Sequence, residues 1–251
     1  MNLLPDIIKT DTLVLRARNY RDADQLLSLY TLKKGRLTAI VKGVRKPKSK
    51  LRGGVQVFSH THLCLYLGRS LATVTQAETI NTFPALRTDL LRMSYAAYLA
   101  EFVESITPEG EADPGLFSLL LTGFHLLSWE DPWLIARLLE VRLLMESGYQ
   151  PFLINCVQCG KEIKIGSLFV PSLGGVICTD CEKIKPAQDV YKISGETYVV
   201  LRQLMQMDLE MVSRLRISLP AKKELEEVLD TYITYLLGKR LKTKEFLNNL
   251  A

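Results

Sequence analysis

Between residues 12 and 80 apolar and polar positions alternate in short runs broken by glycine-containing turns, a period of two that predicts strands. Leu13, Leu15 and Ala17 alternate with Val14 and Arg16. Stretches 26–31 and 36–42 flank the turn Leu32-Lys33-Lys34-Gly35, and 55–67 and 71–80 flank Gly68-Arg69-Ser70. About five strands in so short a span predict a closed or curled sheet, because a small open sheet leaves its edges unpaired. An OB-like barrel is the economical form. Within it, Asp22-Ala23-Asp24 reads as the opening of a short helical turn before Leu26 and Leu27.

After Pro84 the period changes to about 3.6. Helices are expected over 85–105, 114–128 and 132–148, with Pro114 and Pro132 at helix starts, where a missing amide hydrogen costs nothing. Helix returns over 194–205 and 221–237, where Leu225, Val228, Leu229, Tyr232, Ile233 and Leu236 keep one face and Gly238 ends the run. The pattern predicts an α+β chain. Its expected parts are a barrel over 1–82, helices over 83–151, a cysteine-bearing insertion over 152–188 and a second helical part over 189–251.

Composition refines this picture. With 47% hydrophobic and 24% charged residues, the 251-residue chain has ample material for a core. No apolar run reaches the roughly 18 residues of a membrane span, and the start lacks a charged region followed by an apolar one. A cytoplasmic protein is expected. The net charge is only +5, yet the stretch between Asp24 and Glu78 contains no acidic residue and ten basic ones. That window carries +10, so the remainder carries −5. So concentrated a field suits an anionic polymer.

Two pairs, Cys156-Val157-Gln158-Cys159 and Cys178-Thr179-Asp180-Cys181, stand 18 residues apart. This is the spacing of a four-cysteine zinc ribbon, in which each pair grips one Zn2+ through a tight knuckle and Gly160 supplies a permissive backbone. A closed tetrathiolate has no open position for substrate, so the ion would be structural, with Lys161, Lys164, Lys183 and Lys185 softening its negative charge. A redox dithiol or an iron site of the same geometry are the alternatives. Cys64 reads as a core residue. His60 and His62 share one strand face and read as half-buried strand polarity rather than as a second metal site.

Nine cations, Lys33, Lys34, Arg36, Lys42, Arg45, Lys46, Lys48, Lys50 and Arg52, could each neutralise a phosphate if presented on one face. Pro47 and Gly53-Gly54 imply an exposed loop. Nothing in it reads base edges, so weak sequence preference is expected. Tyr20, Tyr30 and Tyr66 could stack on bases, although core positions are the simpler reading of each. Phosphate-loop, dinucleotide, nucleophile-elbow and His-Glu-x-x-His motifs are missing, and three histidines supply little catalysis. Asp22 and Asp24 have the look of a nuclease carboxylate pair, but an enzyme is unsupported.

Three segments resemble the bacterial RecO family of DNA repair and recombination proteins. They are AIVKGVRKPKSKLRGG at 39–54, RLLMESGYQP at 142–151 leading into Cys156-x-x-Cys159-Gly160, and LGKRLKTKEFL at 237–247. In order they span nearly the whole chain, the first being the most specific. Val41 stands where the family often has Ala, and Lys50 where Arg is common. The resemblance implies an N-terminal OB domain and a helical domain with an inserted zinc finger. It further implies binding of single- and double-stranded DNA, annealing of complementary strands and engagement of the acidic tail of single-stranded-DNA-binding protein by the helical domain. With RecR, loading of RecA would follow. Lys42, Arg45, Lys46, Lys48, Lys50 and Arg52 fall on the family's basic motif. A zinc-ribbon transcription or translation factor is the rival reading.

Overall fold

The computed structural model describes residues 6–68, 71–163, 167–184 and 189–250. They form two compact units, one running to Trp129 and including the stretch from Phe246, the other Glu130–Glu245.

The first unit opens with β1 (Asp6–Tyr20), β2 (Asp24–Thr31), β3 (Gly35–Val41), β4 (His60–Leu67) and β5 (Ala72–Asn81). They close in the order β1-β2-β3-β5-β4, all neighbours antiparallel except β3 and β5. This is the OB-fold expected from the alternation. Leu27 and Leu29 of β2, Leu37, Ala39 and Val41 of β3, Leu63 and Leu65 of β4 and Val74 of β5 fill its interior. One strand serves two partners because β1 is long and bulged between Val14 and Arg16. The extra residue interrupts simple alternation, so Leu13, Val14 and Leu15 are all buried.

The strand expected over 55–67 begins only at His60. Val55 ends a single 3-10 turn, and Phe58, at φ 62°, donates to Val14 O at 2.7 Å while Ser59 O accepts from Val14 N at 3.0 Å. The apolar character of 55–58 reflects this plug across the β1 bulge. Asp22 and Ala23 lie in the β1–β2 turn and Asp24 begins β2, so the expected helical turn is absent there. Its carboxylate instead accepts from the Gly43 amide at 2.7 Å, anchoring the start of the basic loop.

Helix α1 (Ala85–Thr88) and α2 (Leu90–Ile106) replace the single helix expected over 85–105. The break falls at Asp89, whose extended backbone (φ −110°, ψ 118°) lets its carboxylate cap α2 by accepting from Arg92 N. Helix α3 (Pro114–Leu127) is capped in the same way by Asp113. The loop between α2 and α3 lies along the start of β3: Gly110 N donates to Arg36 O at 2.8 Å, and Arg36 Nε donates to Thr107 O at 3.1 Å.

The second unit contains α4 (Pro132–Glu146), β6 (Ser167–Val170), β7 (Gly175–Ile177), α5 (Thr179–Ile184), β8 (Tyr191–Ile193), α6 (Gly195–Gln206) and α7 (Leu219–Leu237). The short strands form a sheet in the order β7-β6-β8. Helix α4 buries Arg137 and Glu140 completely, one turn apart, with Arg137 Nη1 also 3.5 Å from Glu226 Oε1 of α7. Burial pushes the Glu226 carboxyl up, but Arg137, Lys244 and Trp133 together hold it below the usual carboxylate range.

Two expectations test the first unit. Gly35 has φ 58° and an added Cβ would sit 1.7 Å from Glu111 O, so Gly35→Ala should destabilise by on the order of 2–3 kcal/mol in denaturant melts. His60 is buried against Phe117. Burial pulls its imidazole below 6.5, opposed by Asp11, with His125 and His62 adding to the downward pull. Folding therefore disfavours the proton, and the unfolded chain binds it first as pH falls below 6.5. Stability should drop on that acid side, and His60→Asn should flatten the slope in pH-resolved thermal melts.

Candidate nucleic-acid interface and four-cysteine centre

The basic loop is ordered by short-range chemistry. Successive turns close through Lys46 N to Gly43 O at 3.1 Å, Ser49 N to Lys46 O at 3.0 Å and Gly54 N to Leu51 O at 3.1 Å. Arg45 N donates to Ala23 O at 3.0 Å, tying the loop to the β1–β2 turn. Val44 and Val55 are buried in the barrel core and Leu51 packs against it. Between these anchors Lys42, Arg45, Lys46, Lys48, Lys50 and Arg52 are all exposed. Apolar residues hold the loop down, and the cations project outward from it, Arg45 also donating to Asp22 O. Gly54 is not part of an open tip, since an added Cβ would approach Ala77 Cβ to 2.6 Å; only Gly53 is exposed.

The nine cations do not share one face. Lys33 and Lys34 sit in the β2–β3 turn, while Lys42 follows the opposite end of β3, roughly 20 Å of strand away. Arg36 is half-buried and committed to Thr107 O, a structural role. The loop group of six is therefore the concentrated one. Tyr30 is 1% exposed and its hydroxyl is pushed up by burial and then by Asp113, so it is core. Tyr20 and Tyr66 are 37% and 41% exposed, against the simpler expectation for both, and Tyr20 lies under the Arg21 guanidinium at 5.2 Å.

A cleft of about 690 Å³ opens where the loop meets the β1–β2 turn. Arg45, Lys46 and Arg52 line it from the loop, and Arg87 enters from α1. Arg87 lies beyond Glu78, outside the acid-free window, and only the packing of α1 brings it here. No sequence spacing signals it. Of the two neighbouring acids, Asp24 accepts from the Gly43 amide through one carboxylate oxygen at 2.7 Å, and the Asp22 backbone carbonyl accepts from Arg45 Nη1 at 3.1 Å.

In the second unit Cys156, Cys159, Cys178 and Cys181 place their sulfurs within 4.8 Å of one another. Each pair turns in a tight knuckle. Gly160 N donates to Cys156 O at 2.8 Å with Gly160 at φ 75°, and the second pair runs into α5, where Glu182 N donates to Cys178 O. Backbone amides aim at sulfur: Cys178 N lies 3.3 Å from Cys156 Sγ, and Cys181 N 3.5 Å from Cys178 Sγ. Burial pushes the Cys156 thiol up, but the backbone amides of Cys178, Cys159 and Gln158, with the Cys159 thiol, outweigh it and bring it to about 6. Cys181 is pushed up to about 12, first by its contact with Cys159 and then by burial. Four thiols so close ionise together only beside a cation, and the donor set fits a soft or borderline metal ion in tetrahedral geometry.

The surroundings hold this centre firmly. Phe152 N donates to Gly174 O and Val176 N to Phe152 O, lacing the first knuckle to β7. The buried Tyr198 hydroxyl of α6 shares its proton between Leu153 O at 2.8 Å and Ile163 O at 3.0 Å. Lys161 pairs with Asp180 at 3.5 Å, and its ammonium is held up first by Asp180 and then by Cys159 and Cys178. Lys183 is exposed on α5, and Lys164 and Lys185 lie outside the described residues. Cys64 is buried in β4, and His60 and His62 both turn to Asp11, at 3.4 and 2.7 Å.

Among the described residues, no helix is long and apolar enough to cross a membrane. Residues 4–83 match the family described as Recombination protein O N terminal, and residues 87–245 match Recombination protein O C terminal. The DNA repair protein RecO of Desulforamulus reducens is 38% identical over 245 residues, covering 97% of this chain and 95% of the relative. That of Pelotomaculum thermopropionicum is 38% identical, covering 98% and 95%. That of Heliobacterium modesticaldum is 41% identical over 216 residues, covering 84% and 78%. With both halves matched and near-complete coverage by relatives of one name, the chain belongs to the RecO family of DNA repair proteins.

Proposed function

We propose that the chain is a recombination mediator that binds single- and double-stranded DNA, anneals complementary strands and performs no bond chemistry of its own. The observation that carries this reading is the ordered 42–52 loop, which presents six exposed cations from a closed OB barrel. Two DNA strands repel through their phosphates. A surface that neutralises several phosphates releases counterions and lowers the cost of bringing the strands together. Base stacking then supplies the downhill step, so binding energy suffices without nucleotide hydrolysis.

In this reading the four cysteines hold one structural Zn2+ and carry no step of strand pairing. The OB domain spans 1–82, the finger 152–188 and the helical domain the remainder, 83–151 and 189–251. RecR and the acidic tail of single-stranded-DNA-binding protein are its partners in loading RecA on coated single strands. Its place is the cytoplasm, at the nucleoid.

Reversal of Lys46, Lys48 and Lys50 to Glu should abolish annealing of complementary labelled oligonucleotides coated with single-stranded-DNA-binding protein. The melting temperature should stay the same, because all three side chains are exposed. Normal annealing by a folded triple mutant sinks the proposal. The wild-type acceleration should need no ATP and weaken steeply with salt. Tight DNA binding without acceleration would favour a zinc-ribbon factor.

Cys159→Ser should lose bound zinc, read by metal analysis, and destabilise the second unit by several kcal/mol. That is a fraction of the roughly 10–16 kcal/mol that structural zinc contributes in isolated finger peptides. Chelation of the wild type should reproduce the loss, while annealing by the first unit persists.

A further inference from the structure

The cleft beside the basic loop has one wall that the basic run does not supply. Arg87 stands on α1, half-buried, with its Nη1 enclosed and without a hydrogen-bond partner. A guanidinium hydrogen shut away from water with nothing to donate to is a net cost to folding. Arg45, by contrast, spends its Nη1 on Asp22 O. With Nη1 closed off, the rest of the Arg87 side chain forms the cleft wall and is the part that an anion entering the cleft would meet.

The rest of the lining narrows the ligand. Arg45, Lys46 and Arg52 converge with Arg87 on one opening, enough positive charge for a phosphodiester. Val57 and Ala17 add apolar surface, and Gln25 and Gln56 add amides able both to donate and to accept. Cations, apolar surface and amides match the phosphate, base face and base edge of a nucleotide. The volume, about 690 Å³, falls within the roughly 300–1,000 Å³ of pockets that enclose one small molecule. In a duplex the bases are stacked and paired, so none of its nucleotides can turn into this cleft and bring its phosphate to Arg87.

We infer that the cleft seats one unpaired nucleotide of a bound single strand, its phosphate held by Arg87 alongside Arg45, Lys46 and Arg52. The inference rests on the DNA-binding reading above and deepens it. It gives the barrel a means of telling single strands from duplex that the exposed lysines, which meet any phosphate, do not provide. Arg87 is a binding residue that α1, and not the basic loop, supplies to the cleft.

The test compares the full-length wild type with Arg87→Gln and Arg87→Lys, on a mixed-sequence single-stranded oligonucleotide and on its blunt duplex, across a salt series. For Arg87→Gln the slope of log affinity against log salt on the single strand should fall by about 0.7, the share of one phosphate contact. The duplex slope should not change, and Arg87→Lys should keep the wild-type slope. The melting temperature of Arg87→Gln should equal or exceed that of the wild type, since the variant removes an unpaired buried donor. An unchanged single-strand slope overturns the inference, as does an equal loss on the duplex, which would make Arg87 a general phosphate contact. Lower melting of both variants would assign Arg87 a structural role and overturn it as well. If the wild type binds neither DNA, the DNA-binding reading itself has failed, an outcome distinct from all of these.

Discussion

Closure of the barrel through the parallel pairing of β3 and β5 is the constraint on which the first unit depends. Only two residue pairs make it, Ala39 with Ala72 and Ile40 with Thr73, yet it removes both open edges of the sheet. It also dictates the path of the chain. Val41 ends β3 beside Gln25, whereas β4 must begin at His60, beside Leu13 at the other end of β2. The connection over 42–59 therefore has to travel the length of the barrel. A connection of that length cannot be fully paired, so its backbone is satisfied by turns and its side chains are free for function. The cations stand where the topology leaves the chain no sheet partner.

That path explains which parts of the fold were legible in the sequence. Alternation located all five strands, because each barrel strand buries one face and the signal is local. It misread 55–58, where apolar residues serve as a plug at the β1 bulge, since burial by plugging and burial by strand packing look alike in one dimension. Asp24 was misread for a related reason. A carboxylate near a chain reversal suits a helix start as well as a loop anchor, and only the position of Gly43, nineteen residues on, decides between them. Asp89 shows the reverse case: a local capping signal was present and was overridden by the long apolar period around it. The buried pair of Arg137 and Glu140 left no trace, because charges one turn apart on a helix ordinarily face solvent.

The two candidate sites differ in the same respect. Thiolate chemistry is recorded in spacing, since a two-residue gap between cysteines is what a metal knuckle requires, and the four sulfurs do converge within 4.8 Å. Phosphate binding has no such grammar. The acid-free window takes in the exposed loop together with Arg36, which braces the α2–α3 loop, and the turn lysines at the far end of β3. It does not extend to Arg87, which α1 adds to the lining of the same cleft and whose neighbours in the chain are unremarkable. Charge composition reports how much positive field a segment carries, and only the fold reports where it is aimed.

The exposed and enclosed cations have opposite energetics, and this bears on how such a surface can pair strands and still let go of the product. Lys48 and Lys50 lose little when unoccupied, because water solvates them, and their hold on a strand is screened by salt. Arg87 is half-buried, with its Nη1 enclosed, so water screens the part of it that lines the cleft less than it screens the loop lysines. Loose contacts of the first kind gather strands without regard to sequence. A contact of the second kind, if offered to an unpaired nucleotide as proposed, would weaken once that nucleotide finds its complement and returns to the stack. In the proposed reading, strand pairing would remove the very group the cleft holds, and release of the duplex would follow from the formation of the product without an external source of energy.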